Sequence, residues 1–249
     1  WTATHAAAWL DLGPTNGTLE AGSSVVVTAA FNAAAATLAV GSYTDVVTFV
    51  NQADGVHMSR AVVIEVIDDC AVLISEYVEG SSNNKALEIY NPHATAIDLA
   101  AGQYVVQGYQ NGGTNATYAI SLTGTVASEE AYVLVYTQAV AGLLALADQP
   151  VGNLTFNGND AVVLRSGGTN GPVVDCIGQV GFDPGAAGWG SGLTTTTDHT
   201  LRRKATIKAG DLVIGDAFDP ATEWDGYAKD TFDGLGSHTN ACTSPPLPT

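Results

Sequence analysis

Histidines and their acidic neighbours are the first residues to test for chemistry, because hydrolysis needs a nucleophile or an activated water beside a base. The five histidines are scattered, and none stands at ligand spacing from another: His5, His57, His93, His199 and His238. Asp198 beside His199 resembles a dyad, but neighbours in a strand point to opposite faces. We therefore interpret His199 as a hydrogen-bonded loop histidine. The sequence has no Gly-x-Ser-x-Gly, His-Glu-x-x-His, Cys-x-x-Cys or phosphate-loop motif, and we predict no catalytic residue.

The densest acidic segment, residues 211–233, has residue types suited to a cation. Clustered carboxylates are the ligands that Ca²⁺ prefers, and Asp216, Asp219 and Asp225 are the calcium candidates. Their spacing departs from the twelve-residue EF-hand loop. The favoured interpretation is that these loop carboxylates bond to their own backbone. We predict no metal site and no cofactor, and a calcium site is the alternative.

Three glutamates, Glu76, Glu79 and Glu88, bracket a short hairpin. Glu88 alternates with Leu87 and Ile89, so it faces away from those two apolar side chains. One interpretation makes these carboxylates part of a cation or peptide site. The favoured one makes them solvent-facing charges that cap turn amides.

The elements that would position these residues are short β-strands. From Leu73 to Pro92, two apolar strands flank a Gly/Ser/Asn turn, and the second strand stops at the proline. Alternating apolar runs separated by glycine turns predict these strands: Ser24–Phe31, Tyr43–Asn51, His57–Ile67, Ala71–Tyr77, Lys85–Asn91, Tyr104–Tyr109, Tyr118–Leu122, Ala131–Tyr136, Asp160–Leu164 and Val173–Ile177. One short surface helix is predicted near 138–147, from Gln138 to Ala147.

The hairpin run Ile-Ser-Glu-Tyr, Gly-Ser, Asn-Lys, Leu-Glu-Ile-Tyr-Asn-Pro resembles the opening of lamin-tail domains of bacterial secreted proteins. Further similar runs are Val174-Asp-Cys-Ile-Gly-Gln-Val-Gly-Phe, Asp198-His-Thr-Leu-Arg-Arg-Lys and Phe218-Asp-Pro-Ala-Thr-Glu-Trp. Residues 1–68, with Trp9-Leu-Asp-Leu-Gly-Pro and Gly41-Ser-Tyr-Thr-Asp, resemble a bacterial immunoglobulin-like repeat that lacks its first strand. The resemblance implies a β-sandwich module of a larger exported protein, with no catalytic group. Bacterial domains of this kind are often joined to nuclease or phosphatase domains.

Three cysteines permit one disulfide and one free thiol. Cys70 precedes the first strand of the lamin-tail-like region, and Cys242 follows its last recognisable element. Because the termini of a domain are often close in space, we favour a disulfide between Cys70 and Cys242. Cys176 would then be a buried thiol. A disulfide implies an oxidising, extracellular compartment.

The net charge limits the kinds of partner that we expect. Eight basic residues against 25 acidic ones give a formal charge of -17, which disfavours direct binding to nucleic acid. One short basic cluster, Arg202, Arg203, Lys204 and Lys208, is an anion site in one interpretation and a solvated strand or loop in the favoured one. No apolar window is long enough to cross a membrane, so no membrane insertion is expected.

These observations predict an all-β fold class with two tandem β-sandwiches: a truncated immunoglobulin-like domain over residues 1–68, a lamin-tail-like domain over 69–242 and a proline-rich linker over 243–249. The predicted function is a non-catalytic extracellular spacer or interaction module of a larger secreted or cell-surface protein. Its expected partners are other domains of the parent chain, including a C-terminal nuclease or phosphatase domain. Two alternatives stay open: a module that binds carbohydrate, peptide or an anionic polymer, and part of a hydrolase with an unrecognised metal site. Aromatic residues such as Tyr109 and Trp189 suit a sugar platform, although core packing is the favoured interpretation.

Overall fold

The computed structural model describes residues 1–66 and 70–242, which are almost entirely β-strand and loop. The chain divides into two compact units, Trp1–Asp68 and Asp69–Thr249. Three predicted features lie outside the described residues: the strand end at Ile67, the boundary at Asp68 and Asp69, and the linker over 243–249. The predicted all-β fold with stacked sheets is confirmed.

The first unit contains a three-stranded and a two-stranded antiparallel sheet. Its strands are β1 (Thr2–Thr4), β2 (Leu10–Gly13), β3 (Thr28–Phe31), β4 (Gly41–Val50) and β5 (His57–Val66). The sheet orders are β1-β4-β5 and β2-β3, and a 3₁₀ turn over Ala33–Thr37 follows β3. Trp9, Leu10 and Val47 form the buried centre of this unit. The predicted strand from Ser24 is shorter than expected, because only its last four residues pair with β2.

The second unit is a larger sandwich of short strands. In chain order they are β6 (Leu73–Glu79), β7 (Lys85–Tyr90), β8 (Ile97–Asp98), β9 (Val105–Tyr109), β10 (Tyr118–Ser121), β11 (Thr125–Val126), β12 (Ala131–Tyr136), β13 (Gln149–Val151), β14 (Ala161–Arg165), β15 (Val173–Ile177), β16 (Gly190–Ser191), β17 (Thr194–Thr195), β18 (Thr200–Arg203) and β19 (Trp224–Tyr227). Two helical turns, α1 (Ala141–Leu144) and α2 (Pro220–Glu223), and a 3₁₀ turn over Gln110–Gly112 complete the unit.

Two main sheets enclose the core of this unit. A six-stranded sheet has the order β13-β12-β7-β6-β18-β19, and a four-stranded sheet has the order β10-β9-β14-β15. Every pair in them is antiparallel except β12 with β13. Apolar side chains from the two inner faces meet in one cluster, in which Tyr77 stacks on Phe156 at 4.6 Å between ring centroids.

Both main sheets are also covered on their outer faces. Val78 and Val133, on the outer face of the six-stranded sheet, pack with Leu143 of α1 and with Leu235. Leu235 belongs to residues 228–242, which follow β19 and which we call the C-terminal segment. On the outer face of the four-stranded sheet, Val163 packs with Trp189 from the loop after β15. The central strands β6 and β7 are therefore buried along their whole length. A sheet with two covered faces loses the apolar/polar alternation that marks a half-exposed strand.

The predicted surface helix is present but much shorter than expected. Helix α1 covers four residues of the predicted Gln138–Ala147 segment, and no side chain caps its N-terminus. Gly142 lies inside it, and strand β13 begins soon after it at Gln149. Glycine weakens helices, so the apolar spacing supports one turn only. None of the helices in the described part of the chain is long and apolar enough to cross a membrane.

Candidate functional site

A row of charged side chains crosses the outer face of the six-stranded sheet. Glu76 on β6 lies directly opposite Glu88 on β7 and, on its other side, opposite Arg202 on β18. A register shift between Ile74 and Glu76 places both glutamates on the same face. Glu76 is 2% exposed and Glu88 is 1% exposed. The interpretation of these glutamates as solvent-facing charges is therefore wrong, because the C-terminal segment covers the face on which they lie.

Each of these two carboxylates has its own internal donors. Glu88 accepts hydrogen bonds from the Ser75 hydroxyl at 2.6 Å and from the Gly236 amide at 2.6 Å. Glu76 accepts one from Arg202 Nε at 3.0 Å, while its other oxygen is buried without a partner in the described chain. Arg202 also pairs with Asp233 of the C-terminal segment. These contacts hold that segment over the sheet.

The burial of this row changes the proton affinity of Glu76. Burial raises the pKa of Glu76 to about 8, and repulsion from Glu88 adds to the increase, although the Arg202 charge opposes it. Burial also raises the pKa of Glu88. Two facing carboxylates that share one cation favour the protonated form of one of them. In the folded protein, Glu76 therefore keeps its proton to a higher pH than in the unfolded chain, where its pKa is the ordinary value of 4.5.

We expect Glu76→Gln to remove a pH-dependent component of stability. The folded protein holds this proton more tightly than the unfolded chain does, so the stabilisation is complete below pH 4.5 and is lost as the pH rises through about 8. The free energy of unfolding of the wild type should therefore fall relative to that of the variant, by up to about 1.4 kcal/mol per pH unit within this window. Urea unfolding at several pH values measures the difference.

The matched control is Glu130→Gln, which neutralises an exposed glutamate of the same unit. It should leave the pH dependence of the wild type unchanged. Parallel stability curves for the wild type and the Glu76→Gln variant across pH 5 to 8 would contradict a raised pKa of Glu76.

The end of the β6–β7 hairpin contains a second buried ion pair. Lys85 pairs with Glu79, and these residues are 7% and 5% exposed. Lys85 Nζ also donates to the Gly80 carbonyl at 3.1 Å, and Glu79 accepts from the Asp198 amide. Every polar contact of this pair therefore ends within the protein. The pair closes the end of the core at the hairpin and lines a shallow depression there with Asp198.

The turn of this hairpin is organised by Asp230 from the C-terminal segment. One carboxylate oxygen of Asp230 accepts from the Ser81 amide at 2.8 Å and from Asn84 Nδ2 at 2.9 Å. Burial alone would raise the pKa of Asp230, but the hydrogen bonds from Ser81 and Asn84 and the Lys229 charge together lower it below its usual value. Asn84 in turn accepts from the Val140 amide at 3.0 Å. The Gly/Ser/Asn turn therefore has a docking role within the fold.

The most buried ion pair joins Arg203 on β18 to Asp175 on β15. Both side chains are fully buried. Asp175 also accepts from three backbone amides: those of Ile74 at 2.7 Å, Cys176 at 2.8 Å and Asp211 at 2.8 Å. A carboxylate with this many donors is well compensated for its loss of water.

Arg203 has further partners on the six-stranded sheet. Its guanidinium lies 4.0 Å from the Trp224 ring centroid, donates to the Ile74 carbonyl at 3.0 Å, and pairs with Glu223. The interpretation of Arg202 and Arg203 as a solvated cluster is therefore wrong. These arginines hold the two sheets and the C-terminal segment together.

The calcium candidates do not converge. Asp216 and Asp219 line a depression of about 410 Å³ with Asp211 and Glu223, whereas Asp225 is exposed on β19. Asp219 accepts from the Ala221 amide at 3.0 Å and caps α2, and Asp211 accepts from the Val213 amide at 2.8 Å. Within residues 1–66 and 70–242, no three acidic, cysteine or histidine side chains are grouped to hold a metal ion.

The remaining candidates are structural. Cys70 and Cys242 form a disulfide with 5.9 Å between their Cα atoms, the pairing favoured from the sequence. Cys176 is a buried free thiol whose pKa burial raises well above its usual range. His199 Nδ1 lies 2.8 Å from the Thr197 carbonyl oxygen, in a loop. Trp189 packs in an apolar cluster of the core.

Sequence reasoning missed the structural roles of Asp175, which bonds to Ile74, Cys176, Arg203 and Asp211, and of Asp230, which bonds to Ser81 and Asn84. Asp175 did give a signal, because it is a single charge inside the apolar run Val-Val-Asp-Cys-Ile. A lone charge at such a position predicts a buried partner. Asp230 gave none, since its contacts with the hairpin span 149 residues.

Comparison with known proteins gives a family match for the first part of the second unit. Residues 66–181 match the family model described as Lamin Tail Domain. No curated protein and no solved structure gives a significant match to the chain. The matched segment includes β6 to β15 and stops before β18 and β19, which complete the six-stranded sheet. Residues 66–181 are therefore assigned to the lamin tail domain, a non-catalytic family with an immunoglobulin-like fold.

Proposed function

We propose that this protein is a non-catalytic extracellular spacer or interaction module of a larger secreted or cell-surface protein. The observation that carries the proposal is that the buried glutamates of the β6–β7 hairpin bond within the protein. Glu76, Glu79 and Glu88 all bond to groups of the same unit. Because these carboxylates are buried and bonded within their own unit, they present little surface to a substrate.

The Cys70–Cys242 disulfide supports the extracellular part of the proposal, because disulfides persist in oxidising compartments. The formal charge of -17 supports a partner other than nucleic acid. The first unit contributes an immunoglobulin-like sandwich in this proposal. A neighbouring nuclease or phosphatase domain remains the proposed companion, since bacterial lamin-tail domains are often joined to such enzymes.

We expect the purified chain to have no phosphodiesterase or phosphatase activity above buffer. The test uses duplex DNA, single-stranded DNA and p-nitrophenyl phosphate, each with calcium, magnesium or manganese and each with EDTA. The acidic depression is the place where an unrecognised metal site would lie, so the double variant Asp216→Asn/Asp219→Asn is assayed beside the wild type. Metal-dependent turnover in the wild type that disappears in the double variant would overturn the proposal.

A further inference from the structure

A polar pocket opens on the outer face of the four-stranded sheet. Residues two apart on one strand share a face, so Gln107 and Tyr109 of β9 lie on the same side. Arg165 of β14 lies there too, because Val163, two residues before it, pairs with Gln107. These three residues form the floor, and residues 114–116 and 169–170 form the walls. We call this depression of about 360 Å³ the Arg165 pocket.

The guanidinium of Arg165 is fixed in position but only partly used. Its Nε donates to Gln107 Oε1 at 2.7 Å, and its Nη1 donates to the Gly171 carbonyl at 2.9 Å. Tyr109 donates its hydroxyl hydrogen to the same Gln107 oxygen at 3.1 Å, which fixes the amide orientation. A guanidinium has five N–H groups, so three of them remain without a partner in the described chain.

None of the residues that line the Arg165 pocket is acidic. The chain has 25 acidic residues and only 8 basic ones. Within the described part of the second unit, Lys85, Arg202, Arg203 and Lys229 each pair with a carboxylate. Arg165 and Lys204 bond instead to neutral oxygens, and of these two Arg165 lines the pocket. An oriented cation without a counter-charge is suited to a carboxylate supplied by a ligand.

The uncharged residues that line the pocket indicate which class of ligand it suits. The side-chain amide of Gln107 donates no hydrogen bond within residues 70–242, and Asn115, Thr169 and Asn170 are exposed at the rim. Amide and hydroxyl groups around one cation match a ligand rich in hydroxyl groups with a single negative charge. A phosphate or a densely charged polymer would feel the repulsive field of the whole chain more strongly.

We infer that the Arg165 pocket binds an acidic sugar, with the carboxylate on the free N–H groups of Arg165 and the sugar hydroxyls on the amides of Gln107, Asn115 and Asn170. The inference rests on the proposed function, because it supplies a ligand class for the interaction module. The second unit would then attach its parent protein to glycans that carry a uronate.

The test is a titration of the whole chain with methyl β-D-glucuronide, followed by NMR or calorimetry. We expect a Kd of about 1 mM, which is typical for a ligand of this size. Methyl β-D-glucoside, which lacks the carboxylate, should bind at least roughly ten-fold more weakly, because a paired charge contributes more than a neutral hydrogen bond. Equal binding of the two sugars, or no binding of glucuronide at about 10 mM, would overturn the inference.

Variants locate the site. Arg165→Gln should weaken glucuronide binding at least about ten-fold, and Arg165→Lys, which keeps the charge but loses the fork, should weaken it several-fold. Asn170→Ala, on the exposed rim, tests the site without altering the sheet. Arg60→Gln is the matched control, because this arginine lines a separate depression of the first unit that also lacks acidic residues, and its loss should leave glucuronide binding unchanged. Glucuronide binding that survives in all three pocket variants would contradict the assignment.

Two further ligands separate the sources of the negative charge. N-acetyl-diglycine presents a peptide carboxylate, and glucose 6-phosphate presents a phosphate on the same kind of ring. Either one binding as tightly as the glucuronide would overturn the acidic-sugar assignment. Failure of this inference can be told apart from failure of the proposed function. If the protein binds no sugar and also has no activity, only the acidic-sugar inference fails. Metal-dependent turnover would instead refute the non-catalytic role.

Discussion

Replacing Arg203 with Met is expected to lower the free energy of unfolding by about 3–5 kcal/mol, the range measured when one partner of a buried ion pair is removed. The methionine fills much of the same space but leaves Asp175 buried without its cation. It also removes the donor to the Ile74 carbonyl and the cation over Trp224. Urea unfolding followed by tryptophan fluorescence measures the loss.

Two comparisons isolate the ion pair from the change in side-chain shape. Lys204→Met removes the neighbouring cation, whose ammonium bonds to the Ala221 carbonyl at an exposed site, and should cost less than about 1 kcal/mol. The double variant Arg203→Met/Asp175→Asn should be more stable than the sum of the two single losses predicts. A loss below about 1 kcal/mol for Arg203→Met would show that the pair does not hold the sheets.

Opening the Cys70–Cys242 disulfide is expected to cost about 2–5 kcal/mol. The bond closes a loop with a sequence separation of 172, so in the chain-entropy account it removes much freedom from the unfolded chain. Its two ends are also held in place by the backbone, because Ala71 donates to the Lys208 carbonyl at 2.9 Å and Ala241 donates to the Ala205 carbonyl at 2.7 Å. Thermal unfolding with and without reductant measures the effect.

The double variant Cys70→Ala/Cys242→Ala should be as unstable without reductant as the reduced wild type is, and it should not respond to reductant. Cys176→Ala removes the buried free thiol and should keep the full response to reductant. If reductant shifts the wild type and the Cys70→Ala/Cys242→Ala variant equally, the stabilisation does not come from this bond.

The strands of the second unit were largely predictable because their apolar runs and glycine turns are local signals. The predicted bounds of Ala131–Tyr136 and Val173–Ile177 agree with the structure, and the hairpin strands agree within two residues at each end. Strands β18 and β19 were not predicted as strands. The sequence around Arg202 and Arg203 has the pattern of a polar cluster and not that of a strand. Strand β18 forms because this segment pairs with β6 and β19.

The burial of the glutamates was not predictable from alternation. The pattern correctly placed Glu88 on the face opposite Leu87 and Ile89, but alternation says nothing about whether a second layer covers that face. The covering layer comes from residues about 150 positions further along the chain, as in the contact between Glu88 and Gly236. Contacts at that separation leave no periodic signal in either segment.

The closeness of Cys70 and Cys242 governs how the second unit would behave under mechanical load. A pulling force on the chain beyond both cysteines would pass through the cross-link, which spans 5.9 Å between Cα atoms. Without it, the same residues could extend by roughly 550 Å on unravelling, at about 3.3 Å per residue. With the disulfide formed, the unit therefore cannot lengthen under force, whereas the reduced unit would lengthen when it unfolds.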